Sequence, residues 1–221
     1  MTSNTGSSDD GVRQAASDSV RHGEDVRERI RDLTLDTLTR RRFDRNTIRD
    51  TVRLITEGIG RGAEAGSTGT QHSLTEAIRG MDSALSRAVE AGETALRQLV
   101  DAGRGVSERE LQQAFAGLRK IEEDFVSTVS EVAESASERV RPELKEALSQ
   151  ATRSGTETGK KTAAAMTELA QQLAGISMEL TLAGIELAGA FGTRFARIAS
   201  GVLAGTADAL DKASSEAKKN S

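Results

Sequence analysis

Two histidines, His22 and His72, are the side chains best suited to proton transfer or metal ligation near neutral pH. A metal centre needs further ligands, and neither histidine has a second histidine and a carboxylate at ligand spacing. Both read as solvent-exposed loop residues. The run Gly155, Thr156, Glu157, Thr158, Gly159, Lys160, Lys161, Thr162 has the composition of a phosphate-binding loop. That motif needs four residues between its glycines, a Ser or Thr directly after the lysine, and a buried strand before it. Lys161 holds the hydroxyl position here, and the preceding segment is helical, so nucleotide binding is not expected. Glu122, Glu123 and Asp124 offer adjacent carboxylates. Adjacent helical positions point in different directions, which makes a solvated face of them rather than a metal cage. The Glu-x-x-His pairs of a di-iron bundle are missing from the sequence.

One basic patch stands out: Arg40, Arg41, Arg42 and Arg45, around Phe43 and Asp44. It can grip phosphate or an acidic partner. The competing role is a charged turn between helices, with guanidinium groups on the C-terminal end of the first. Asp32, Asp36 and Asp50 dilute the field and favour the turn. There is no cysteine, which excludes disulfides, thiolate zinc sites and cysteine nucleophiles. Nucleophile, base and orienting group cannot be assembled from what remains, so the expectation is a non-enzymatic protein without metal or cofactor.

The elements that carry these residues follow from composition. Of 221 residues, 36% are hydrophobic and 29% charged, and the 2% that are aromatic are all Phe. A core without Trp or Tyr must be built from Leu, Ile, Val, Met and Ala, the palette of helical bundles and coiled coils. A net charge of -4 and a pI near 5.4 argue against a nucleic-acid binder. The mean hydropathy of -0.43 leaves disorder as the competing class, which the periodic apolar spacing opposes. Residues 1–10 are polar and acidic, unlike a signal peptide, and the expected location is cytoplasmic.

Residues 1–23, rich in Ser, Asp, Gly and Thr, are expected to form a disordered tail. Val26, Ile30, Leu33 and Leu38 mark a helix to about residue 39. Ile48, Val52, Ile55 and Ile59 mark a second, which Gly58, Gly60, Gly62, Gly66 and Gly69 weaken into a loop. Ser73 with Glu76, and Ser107 with Glu110, have the spacing of capping boxes and predict helix starts. The first opens a heptad-like seam of Leu74, Ile78, Met81, Leu85, Ala88, Gly92, Leu96 and Leu99, ending at Gly103 and Gly105. The second opens a face of Leu111, Phe115, Leu118, Phe125, Val129 and Val132. Pro142 kinks or restarts that helix before Leu144 and Leu148. No strand pattern is present.

After a loop at 154–159, a last helix is expected over about 161–213, roughly 80 Å long if continuous. Met166, Leu169, Leu173, Ile176 and Leu180 form one seam. Leu182, Ile185, Leu187, Phe191 and Phe195 extend and widen the apolar arc, which is the candidate interaction surface. Glu179, Glu186, Arg194 and Arg197 interrupt every window long enough to cross a bilayer. The helix either is buried in a bundle or oligomer, where Gly184, Ala188 and Gly192 allow close approach, or lies on a lipid or polymer surface. The absence of interfacial Trp and of flanking Lys from its middle favours burial.

The stretches RHGEDVRERIRDLTLDTL (21–38), LQQAFAGLRKIEEDFVSTVSEV (111–132) and FGTRFARIASGVLAGTADAL (191–210) together resemble an uncharacterised family of bacterial all-helical proteins. That resemblance implies an all-α fold and no catalytic assignment. In composition, the long Ala-rich, Cys-free helices are also similar to phasins, which implies a possible coat on polymer granules. The expected fold is therefore all-α, an elongated antiparallel, coiled-coil-like helical bundle over 24–213, with a disordered tail at 1–23 and a flexible one at 214–221. The expected role is a helical scaffold or coat, as a homo-oligomer or with a helical protein partner. The alternative is a lipid- or granule-surface protein using residues 163–210.

Overall fold

Apolar spacing decides where the chain becomes helical. The computed structural model describes residues 4–41, 44–66, 70–101, 108–174 and 195–205, and these are overwhelmingly helical with no strand among them. In order they form α1 (Asn4–His22), α2 (Val26–Thr39), α3 (Arg45–Ala65), α4 (Thr70–Asp101), α5 (Glu108–Ser135), α6 (Val140–Thr152) and α7 (Glu157–Ala174). A further helical segment spans 195–205. The all-α class read from the sequence is the class observed.

The most extensive pairings join alternate helices rather than neighbours along the chain: α1 with α3, and α2 with α4. Ion pairs set their directions. Arg13 meets Glu57 at 2.6 Å, and Ser17, one turn further along α1, lies against Gly62, further along α3, so α1 and α3 run parallel. Arg45 pairs with Asp124 and Arg53 with Glu131, so α5 runs parallel to α3. Gly23, just before α2, faces Ser73, while Gly80 faces Arg27 and Arg31, so α2 and α4 also rise together. Asp82, Glu90 and Arg97 of α4 meet Thr158, Lys161 and Glu168 in the same order, which adds α7 to this set. The result is two sets of parallel helices, α1–α3–α5 and α2–α4–α7, with α6 packed against α4 and α5.

The predicted seams are the core. Leu74, Ile78, Met81, Leu85, Ala88 and Leu96 are fully buried on α4, and so are Val52, Ile55 and Ile59 on α3. Many buried positions between them are threonines. Thr34, Thr37 and Thr56 donate their hydroxyls to the carbonyls of Ile30, Leu33 and Val52 four residues back, which satisfies the hydroxyl within its own helix.

Several expectations are corrected. Of the disordered tail expected at 1–23, residues 4–22 are instead helix α1, with Ala16 and Val20 buried against the core and Val12 partly so. Three small apolar residues suffice because Gly58 and Gly62 of α3 bring the two backbones together. A β-carbon on Gly58 would overlap the Arg13 carbonyl oxygen, and one on Gly62 would lie 2.5 Å from that of Ser17. Of the glycines read as loop-forming, Gly58 and Gly62 are thus inside α3 on the face that receives α1, Gly60 is inside it toward Leu144, Gly66 follows its end, and Gly69 lies outside the described residues. Ser73 is not a cap either: α4 starts at Thr70, and Ser73 is buried one turn in. Ser107, Gly103 and Gly105 lie outside the described residues. Pro142 does restart a helix, in the first turn of α6, where its missing amide costs nothing. The loop expected at 154–159 is shorter, since α7 begins at Glu157. Gly155 turns it with φ +79°.

Candidate interaction site

The first two turns of α7 are held by side chains from two other helices. Asp82, buried on α4, accepts from the Glu157 amide at 2.6 Å and the Thr158 amide at 3.0 Å. The Thr158 hydroxyl donates to the Asp82 carbonyl at 2.9 Å. The Thr156 hydroxyl accepts from the Gly159 amide at 2.8 Å and donates to Glu122 of α5. The free amides of a helix start attract anions, and here the Asp82 carboxylate takes two of them, while the Thr156 hydroxyl, held by Glu122, takes the Gly159 amide. The segment with phosphate-loop composition is therefore a helix start already occupied by Asp82 and Thr156. A β-carbon on residue 159 would overlap the Glu122 carboxylate where it now lies, so Gly159 leaves room for this contact.

Further along, Lys161 meets Glu90 at 2.7 Å, and Arg97 bridges Glu93 on its own helix and Glu168 on α7, the latter at 2.6 Å. Hydrogen bonds to Glu168 and Glu93 push the Arg97 pKa up, and the Arg97 bond holds Glu168 below the ordinary carboxylate range.

The carboxylates of 122–124 diverge as helical geometry requires. Glu122 reaches Thr156, Glu123 is exposed, and Asp124 is buried against Arg45. Among the described residues no group of three potential ligands converges.

The basic patch is divided among different carboxylates. Arg40 meets Asp36 at 2.8 Å one turn back on α2, Arg41 meets Asp9 of α1, and Arg45 meets Asp124 of α5. The Arg45 hydrogen bond holds the Asp124 carboxyl below its usual range, against the opposing effect of burial. Arg42 lies outside the described residues. Beside Arg40 and Arg41 is a cavity of about 310 Å³ between the start of α1 and the end of α2, with Val12 and Leu33 in its lining. His22 closes α1, its Nδ1 donating to the Asp18 carbonyl at 2.6 Å, and His72 is exposed within α4.

Of the apolar arc, Met166, Leu169 and Leu173 belong to the α7 backbone, and their side chains lie outside what is described. Ile176, Leu180, Leu182, Ile185, Leu187 and Phe191 also lie outside the described residues. Phe195 is half-buried and packs on the core close to Gly92 of α4. Ala196, Ala199 and Leu203 follow it on one buried stripe. Ala199 and Leu203 were not singled out in the sequence, although their spacing of four from Phe195 was the available signal. Asp82 had no such signal, because a cap supplied from 75 residues away leaves no local pattern.

No helix among the described residues is long and apolar enough to cross a membrane. Comparison with curated proteins and with solved structures returns no match for this chain. Residues 2–212 match the model of DUF6781, a family of unknown function, and the chain belongs to that family.

Proposed function

We propose that this protein is a non-enzymatic, cytoplasmic helical scaffold or coat that works by helix-to-helix association, as a homo-oligomer or with a helical partner. The observation that carries this reading is the packing of the described end of the apolar C-terminal part, residues 195–205, onto other helices. Phe195, Ala199 and Leu203 lie against the core where the apolar arc ends. The ionised groups that suggested chemistry support it further, since Arg40, Arg41, Arg45, Glu122 and Asp124 all have partners within the chain. The surface assigned to association is the arc of Met166, Leu169, Leu173, Ile176, Leu180, Leu182, Ile185, Leu187 and Phe191, continuing to Phe195. An apolar surface of that extent ordinarily finds a partner.

The test replaces Leu173 or Ile185 with Asp. Burial between helices makes each change cost several kcal/mol, against a typical domain stability of roughly 5–15 kcal/mol. Early melting or aggregation is expected, with the parent sedimenting as an oligomer in analytical ultracentrifugation. Variants that melt like the parent but no longer float with liposomes or polymer granules would replace this reading with a phasin-like or lipid-surface coat.

A further inference from the structure

Three exposed residues, Gly23, Glu24 and Asp25, join α1 to α2. Two of them take left-handed backbone conformations, Gly23 at φ +71° and Asp25 at φ +50°. Glycine adopts that region freely, but an L side chain is disfavoured there, and the Asp25 side chain makes no capping hydrogen bond to offset the cost. The helices on either side run antiparallel, since Arg41, just past the end of α2, pairs with Asp9 near the start of α1. They part there around the cavity of about 310 Å³. The firm seat of α1 is on α3 instead. Gly58 receives the Arg13 carbonyl and Gly62 the Ser17 backbone, each so closely that a β-carbon would intrude on it. Arg13 adds its ion pair to Glu57, and Ala16 and Val20 are buried. Any copy of the chain carries the same notched surface.

We infer that two copies of this chain assemble by exchanging α1, each copy's α1 seated in the glycine notches of its partner's α3. Reciprocal exchange keeps the Arg13–Glu57 pair and the contacts at Gly58 and Gly62, because each is remade with the partner. What changes is the hinge. Residues 23–25 straighten, α1 and α2 join into one helix, and both left-handed residues return to right-handed geometry. A short hinge under strain favours such an exchange. The inference does not rest on the scaffold reading, because it uses α1 and α3 rather than the apolar arc from Met166 to Phe195.

The chain has no cysteine, so introduced thiols report the exchange without background. Arg13→Cys and Glu57→Cys, made in separate full-length chains, remove one partly exposed ion pair and leave the glycine contacts in place. The two are unfolded in urea, mixed, refolded at about 100 µM and treated with a short bismaleimide. A covalent dimer joining one chain of each variant is expected, and neither variant alone should give one. Analytical ultracentrifugation provides a second reading that leaves α1 and α3 untouched. Gly23→Ala places an L side chain in the left-handed turn, where the nearest atom to its β-carbon is the Ser73 hydroxyl oxygen at 3.8 Å. The closed form is disfavoured about tenfold per hinge, so with two hinges opened the dimerisation constant should rise about a hundredfold. Absence of coupling between the two single-cysteine variants would overturn the inference, even in a chain that associates through its apolar arc. So would a Gly23→Ala chain whose dimerisation constant is no larger than the parent's.

Discussion

Replacing Gly58 with Ala separates two opposing effects whose sizes can be stated in advance. In an ordinary helix interior, Gly→Ala stabilises by about 1 kcal/mol through backbone entropy. At Gly58 the new methyl would overlap the Arg13 carbonyl oxygen, lie 2.8 Å from the Ala16 β-carbon and 3.0 Å from the Arg13 carbonyl carbon. Two of those three atoms are backbone, so no side-chain rotation relieves the contact and α1 must move off α3. Overpacking of this kind costs about 1–3 kcal/mol, and the displacement also loosens buried Ala16 and Val20. The net expectation is a loss of about 1–2 kcal/mol, or roughly 2–8 °C in Tm for a chain of this size. Gly117 on α5 is the matched control, because a β-carbon there meets nothing within 4 Å. Gly117→Ala should stabilise by about 0.5–1 kcal/mol. Urea unfolding monitored by far-UV circular dichroism reads both, and exchange of peptides covering 8–22 locates the damage. Gly58→Ala equal to or more stable than the parent would refute the interlocked packing of α1 on α3 and restore the disordered tail as the better description.

Other expectations follow from single groups. Asp124 is held below the ordinary aspartate pKa of about 3.9 by its hydrogen bond to Arg45. A depressed folded-state pKa contributes stability above that range and loses it as pH falls through the folded value. The parent's urea midpoint should therefore exceed that of Asp124→Asn at pH 7, and the gap should narrow as the pH falls below about 3.9; a gap unchanged as the pH is lowered would rule out the Arg45–Asp124 pair as its cause. Thr51 on α3 and Thr128 on α5 are fully buried with hydroxyls that have no hydrogen-bond partner. Thr51→Val or Thr128→Val should raise stability by about 1 kcal/mol by removing a desolvated polar atom, and a loss of similar size in thermal melts would mean the hydroxyl is satisfied in solution.

What was legible in the sequence was whatever repeats at 3.6 residues. The α4 seam from Leu74 to Leu96 and the α3 stripe from Ile48 to Ile59 are buried as their spacing demands. Pro142 falls in a first helical turn, as its chemistry requires. The failures share a cause. Gly58 and Gly62 look like helix breakers when each is considered alone, and become packing surface only when another helix lies on them. By the same logic α1 looks disordered, because its few apolar residues are small and its stability comes from a surface on α3. Ser73 carries a capping-box pattern, yet Thr70 starts the helix and Ser73 is packed inside it. Asp82 and Glu122 read as unremarkable helix-surface carboxylates, because their partners at 156–158 are brought to them only by the fold.

The near absence of aromatic residues and the positions of the buried glycines are two sides of one solution to filling a core. Helices normally pack 8–10 Å apart, and side-chain bulk fills the space between their axes. Chains without Trp or Tyr can instead reduce that space. Gly58 and Gly62 bring α3 onto α1, Gly80 brings α4 onto α2, and Gly92 receives Leu118 of α5 at a point where a β-carbon would lie 2.6 Å from its methyl. The α1–α3 and α2–α4 contacts join helices that are not neighbours along the chain, so there the small residue specifies a partner as well as a distance. At Gly58, Gly62 and Gly80, where the neighbouring atoms are backbone, any larger residue separates the pair, and Ala, Val and Thr are too short to fill the gap that opens. Close-packed interiors make such gaps costly, at about 24 cal/mol per Å³ of residual cavity. An aromatic-poor helical core thus depends on its glycines for contact in the way an aromatic-rich one depends on its rings. That dependence explains why a sequence carrying 21 glycines stays helical through Gly58, Gly60 and Gly62.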